Sequence, residues 1–79
     1  MNQKKFLLLI SKSLGIKPDK VTLNLKLNDI EEWDSIGHLT ILSALDKATK
    51  GKSAKIKGLG VQKSLKKIWE ILKKKRLVK

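Results

Sequence analysis

Apolar residues recur at helical spacing in three stretches of the 79-residue chain, separated by two stretches in which no such period holds. In the first, Phe6, Leu7, Ile10 and Leu14 repeat at intervals of three and four, which predicts a helix over residues 3–14. Gly15 is placed to end it in a left-handed conformation, and Pro18 forbids a simple continuation. In the second, Asp34 or Ser35 supplies N-cap chemistry. At about 100° per residue Leu39, Ile41, Leu42, Leu45 and Ala48 then fall in one arc, with Thr40, Ser43 and Lys47 largely opposite. Gly51 is the expected stop. In the third, Ser64 caps a helix whose stripe is Leu65, Ile68, Trp69 and Leu72, while Lys66, Lys67, Lys73 and Lys74 face away. The tail from Lys75 to Lys79 is expected to fray.

The stretches between are less regular. Leu23, Leu25 and Leu27 alternate as a strand would, yet a single short strand finds no partner in the remaining pattern. Residues 16–33 therefore read as a long loop whose leucines cover a helical core, and ordered loops of this length usually serve a function. Residues 52–63 hold Gly58 and Gly60 with scattered Ile56, Leu59 and Val61, which predicts a connection with at most one short helical turn. Gly58-Leu59-Gly60 is too short for a phosphate loop and permits a turn instead. The fold class expected is all-α: a small bundle of three main helices with a long first loop, as a single domain over residues 1–79.

Composition narrows the function classes. Hydrophobic residues are 41% of the chain, enough for a core, but a domain this small has little room for a catalytic cleft as well, so an enzyme is not expected. Without cysteine, a disulfide framework, a Cys-ligated metal and a cysteine nucleophile are excluded. The longest apolar run, Phe6 to Ile10, is too short for a membrane span or a signal-peptide core, which makes the cytoplasm the expected location. The formal charge of +12 ordinarily points to nucleic acid or an anionic membrane. Its distribution qualifies that inference. Residues 1–46 hold six Lys and six acids, whereas residues 47–79 hold twelve Lys and Arg76 against Glu70 alone.

The side chains with chemistry concentrate in the neutral half. Asp34, Ser35 and His38 superficially suggest a hydrolytic triad, but the Gly-x-Ser-x-Gly strand-turn-helix context is absent, and an acid adjacent to the serine is poorly placed to orient the imidazole. His38 reads as a structural histidine. Trp33 and Trp69 read as core or loop-packing residues.

The octapeptide Glu32-Trp33-Asp34-Ser35-Ile36-Gly37-His38-Leu39, followed by the amphipathic run to Ala48, resembles the phosphopantetheine-attachment motif of acyl carrier proteins, where Asp-Ser-Leu opens the second helix. Chain length, a first helix ending at Gly15, a leucine-bearing loop and a last helix of the form Ser64-Leu65-x-x-Ile68-x-x-Ile71-Leu72 also fall where that family has them. The resemblance implies a carrier rather than a catalyst, built as an acyl-carrier-like bundle. Ser35 would receive 4′-phosphopantetheine from coenzyme A through a separate phosphopantetheinyl transferase, and the terminal thiol of that arm would hold an acyl or aminoacyl group as a thioester. With no cysteine in the chain, that thiol would be the only one, so no internal exchange could discharge the cargo. By the same resemblance Asp34, Ile36, Leu39, Asp46 and Lys47 belong to the surface that partner enzymes recognise.

The sequence departs from the family in charge. Gly37, Thr40, Lys47 and Ala48 stand where the second helix of fatty-acid carriers often shows acids, and only Asp46 remains. Since charge complementarity governs partner choice, the expected partners are dedicated loading and transferring enzymes with acidic docking surfaces. The Trp-Asp-Ser-x-Gly-His-Leu form is similar to carriers of particular pathways, such as surface-polysaccharide modification, aminoacyl transfer or specialised lipid assembly. A monomer is expected, with nucleic acid not a partner and membrane contact peripheral at most. The rival reading is a small basic helical module that binds nucleic acid or an anionic membrane through residues 47–79. Against it, Leu65, Ile68 and Leu72 are needed for the core.

Overall fold

The computed structural model describes residues 1–77. Helix α1 spans Gln3–Leu14, α2 Ser35–Ala48 and α3 Leu65–Lys74, with short 3-10 turns at Pro18–Lys20 and Ser53–Lys55. The fold is the expected all-α bundle of three main helices, and the second connection contains the single short turn that its glycines allow.

Side chains start each helix. Asn2 accepts the Lys5 amide at 2.9 Å, Asp34 the Gly37 amide at 2.8 Å and Ser64 the Lys67 amide at 3.4 Å, each satisfying a donor that the first turn leaves free. Asp34 is thus the cap of α2, and Ser35 is its first helical residue.

The helices end in one recurrent way. Gly15, Lys50 and Arg76 adopt φ of 70°, 56° and 59°. The next amide in each case reaches five residues back, Ile16 to Ser11 at 3.0 Å, Gly51 to Asp46 at 2.7 Å and Leu77 to Leu72 at 2.9 Å. A left-handed lysine or arginine costs about 1 to 2 kcal/mol, which these hydrogen bonds offset. The helix ends at Lys74, where the tail was expected to begin, and Lys75 to Leu77 form this hydrogen-bonded turn; Val78 and Lys79 lie outside the described residues. Sequence alone could not place the turn, because lysine and arginine carry no left-handed signal.

The long loop does find a partner. Lys26 and Ser64 form an isolated antiparallel bridge, with the Leu27 amide on the Lys63 carbonyl at 2.8 Å and the Leu65 amide on the Leu25 carbonyl at 3.1 Å. The alternation of Leu23, Leu25 and Leu27 is thus one rung of pairing, with Leu25 turned into the core and the other two half-buried.

One cluster forms the core of the described residues. It joins Phe6, Ile10 and Leu14 of α1, Ile41 and Leu45 of α2, and the full predicted α3 stripe, together with Val21, Leu25, Trp33 and Leu59 from the connections. Phe6 and Trp69 meet at 5.0 Å between ring centroids, tilted by 40°. Each large side chain so buried contributes roughly 1.5 to 3 kcal/mol. The α2 arc requires correction. Leu39 is 66% exposed and Ala48 is exposed, while the buried line runs through Gly37, Ile41 and Leu45 at intervals of four. Leu39 lies about 160° around the helix from Ile41, so the arc drawn on apolar letters was too wide.

Gly37 explains how α2 is seated. A Cβ there would fall on the carbonyl oxygen of Glu32 and come within 3.1 Å of Leu14 Cδ2. Absence of a side chain lets the turn before α2 and the end of α1 close on the helix together. The lack of an acid at this position is therefore a packing requirement. We predict that Gly37→Ala destabilises the protein by about 1 to 3 kcal/mol in urea unfolding, as overpacking does; a change below about 0.5 kcal/mol would contradict this seating.

Candidate functional site

Inward and outward positions alternate sharply where the loop becomes α2. Trp33, Gly37 and Ile41 are buried, whereas Asp34, Ser35 and Ile36 are exposed. The buried residues fix the backbone and the exposed ones project from it.

His38 holds this junction. Its Nδ1 accepts the Trp33 indole Nε1–H at 3.2 Å, and its Nε2 lies 2.8 Å from the Gly60 carbonyl oxygen. An indole nitrogen only donates, so Nδ1 is the acceptor and the ring proton sits on Nε2, donating to Gly60; the tautomer follows from the partners. The two rings lie within 18° of parallel, 6.1 Å apart. One imidazole thereby pins the end of the long loop, α2 and the second connection. Both of its nitrogens are occupied, which leaves none to deprotonate Ser35. The triad arrangement is not formed.

Ser35 is exposed at the positive end of a 14-residue helix. Asp34 takes the Gly37 amide with its side chain and the His38 amide, at 2.8 Å, with its carbonyl. Among the described residues the amides of Ser35 and Ile36 have no hydrogen-bond acceptor, and they belong to the same first turn as the serine. An anion attached to that hydroxyl would gain about 0.3 to 1 kcal/mol from the helix end. The residues present thus fit a phosphodiester on Ser35.

The acids that precede Ser35 in the chain have different tasks. Asp29 is engaged in the loop, where its Oδ2 accepts the Lys26 amide at 2.8 Å, and Glu31 and Glu32 are exposed. Of the other residues expected to face a partner, Ile36 (74% exposed), Leu39 and Lys47 share the outer face of α2. Asp46 stands apart from them. It is half-buried near Gly51, and its Oδ1 is shielded from solvent with no hydrogen-bond partner among the described residues.

The sequence reading did not anticipate two features. Gly60 serves His38 as a backbone acceptor, which no side-chain pattern announces. Lys12 and Ser13 of α1 line a groove with the outer face of α2, a neighbour relation set by helix packing. No helix of the described residues is long and apolar enough to cross a membrane, and they contain no cluster of three metal-ligating side chains.

Replacing His38 by Ala would leave the fully buried Trp33 with an unpaired N–H and release the second connection at Gly60. We expect a loss of about 1 to 3 kcal/mol in urea unfolding, the cost of an orphaned buried donor; stability within about 0.5 kcal/mol of the parent would show that the junction does not depend on the imidazole. Comparison with protein-family models, with curated proteins and with solved structures finds no match to this chain.

Proposed function

We propose that the protein is an acyl carrier, holding an acyl or aminoacyl group as a thioester on 4′-phosphopantetheine attached to Ser35, and that it serves a specialised pathway rather than bulk fatty-acid synthesis. The observation that carries this reading is the placement of Ser35. It is an exposed first-turn hydroxyl behind an aspartate cap, beside two free amides, in the sequence Asp34-Ser35-Ile36 that resembles the attachment motif.

Several features support a carrier over a self-acting nucleophile. The one histidine is committed on both nitrogens, which favours activation of Ser35 by a partner. The bound group would supply the thiol that the chain lacks. This chain's residues would hold the phosphodiester at the helix end, keep the attachment point rigid through Trp33, Gly37 and His38, and present Ile36 and Leu39 to the visiting enzyme. Location in the cytoplasm and a monomeric state belong to the same proposal.

The basic second half favours one rival. Lys66, Lys67, Lys73 and Lys74 are all exposed on α3, as a module for nucleic acid or an anionic membrane would require. The same helix spends Leu65, Ile68, Trp69 and Leu72 on the core, so its apolar face is not free to enter a bilayer.

Incubation with coenzyme A, Mg²⁺ and a broad-specificity phosphopantetheinyl transferase separates the readings by intact mass. The carrier reading expects a gain of one phosphopantetheine moiety that is abolished in Ser35→Ala. No gain in the parent protein, or an equal gain in the variant, would sink it. Salt-sensitive binding of the unmodified protein to DNA or phosphatidylglycerol vesicles, without any mass gain, would establish the rival.

A further inference from the structure

His38 is the only histidine of the chain, and its ring lies between two groups whose hydrogen-bonding roles are fixed. The Trp33 indole N–H can only donate, and it donates to Nδ1 at 3.2 Å. The Gly60 carbonyl can only accept, at 2.8 Å from Nε2. The neutral ring with its hydrogen on Nε2 serves both neighbours, and no other form does. An imidazolium carries a hydrogen on each nitrogen, so Nδ1–H would oppose the indole N–H, and turning the ring over brings no acceptor to that side. Because Trp33 is fully buried, water cannot replace the lost acceptor while the junction stays closed.

The charges of the surrounding elements do not relieve this opposition. The loop end carries Glu31, Glu32 and Asp34, the second connection has Lys57 and Lys63 on either side of Gly60, and α1 ends near Lys12. On α2 itself Asp46 and Lys47 lie more than two turns beyond the ring. Asp34 Oδ1 is given to the Gly37 amide, and among the described residues the ring nitrogens are hydrogen-bonded to Trp33 and Gly60. Glu31, Glu32, Lys12, Lys57 and Lys63 are exposed, where solvent screens their effect on an imidazolium.

We propose that His38 is a protonation-sensitive latch: neutral, it joins Trp33 to Gly60, and as an imidazolium it releases the indole and loosens the start of α2, on which Ser35 stands. An unfolded chain binds that proton freely, whereas the closed junction has no place for it. Acidification therefore favours the open state, and stability falls as pH falls through the range around about 6.5 in which imidazoles ordinarily charge. For a carrier the consequence would be an attachment point held rigid at neutral pH and slackened in mild acid. The latch itself does not depend on whether Ser35 is modified.

The test uses the unmodified full chain between pH 7.0 and 5.5, where Asp and Glu largely keep their charge. Long-range ¹H–¹⁵N spectra of the imidazole are expected to show the Nε2-protonated tautomer at pH 7.0. On acidification the Trp33 indole and Gly60 amide resonances should move with the same midpoint as the imidazole nitrogens, while the indole of Trp69, which the ring does not contact, stays in place. The unfolding equilibrium constant from urea titration should rise about fivefold over this range, within the tenfold per pH unit that one linked proton allows. His38→Gln keeps an acceptor and a donor but does not titrate, and its constant should change by less than about twofold. A Trp33 indole that stays in place while the imidazole charges would overturn the proposal, and that measurement needs no variant. So would an Nδ1-protonated ring at pH 7.0, or a pH dependence of stability that is as large in His38→Gln as in the parent.

Discussion

The two hydrogen bonds of His38 are the constraint on which the arrangement around Ser35 depends. Three segments distant in sequence converge on one ring: Trp33 closing the long loop, α2 itself, and Gly60 in the second connection. Because Trp33 is fully buried, its N–H must find an acceptor, and an imidazole with its proton on the far nitrogen supplies one while passing a donor on to Gly60. Gly37 completes the seating by letting the Glu32 carbonyl and Leu14 approach the helix backbone. With residues 33, 37 and 38 fixed inward, residues 34 to 36 have one way to face, which is outward. A reactive arm attached to Ser35 would thus be mobile on a rigid base.

How much of this could be read in the sequence follows from which signals are local. The first and last helices were legible because Phe6, Ile10 and Leu14 and the whole α3 stripe are buried, although Leu7 is half-buried and Ser11 takes a buried place, and because Gly15 and Ser64 are strong terminal signals. The middle helix was legible in its start but not in its orientation. Counting Leu39 as core widened the arc, although Gly37, Ile41 and Leu45 define the face that is buried. A glycine carries no hydrophobic weight, so periodicity alone passes over the residue that makes the closest approach. The pairing of Lys26 with Ser64 and the left-handed turns at Lys50 and Arg76 were invisible for a different reason: they are backbone arrangements decided by tertiary context. At the site, Ser35, Asp34 and Ile36 were identifiable from their motif, whereas Gly60 and Lys12 enter through packing and leave no mark at short range.

Charge takes on a different meaning once the acids are located. Asp29 is bound into a turn, Asp34 caps α2 and Asp46 is half-buried, so much of the negative charge that balances residues 1–46 in the formal count is engaged by the fold. On the outer face of α2, Lys12 and Lys47 line the groove without a carboxylate beside them. Electrostatic steering would act on an acidic partner approaching Ser35, and the lysines of α3 would extend that field without entering the contact.

The central claim is that Ser35 carries a covalent arm on a scaffold that does not rearrange to receive it. The most direct measurement compares ¹⁵N spectra of the protein before and after treatment with coenzyme A and a phosphopantetheinyl transferase. The account predicts the largest shifts at the Ser35 and Ile36 amides, which face the new phosphodiester, with the Trp33 indole and Gly60 resonances unmoved. Largest shifts around Ser11, Ser13, Ser43, Ser53 or Ser64, or displacement of the Trp33 indole on modification, would contradict it.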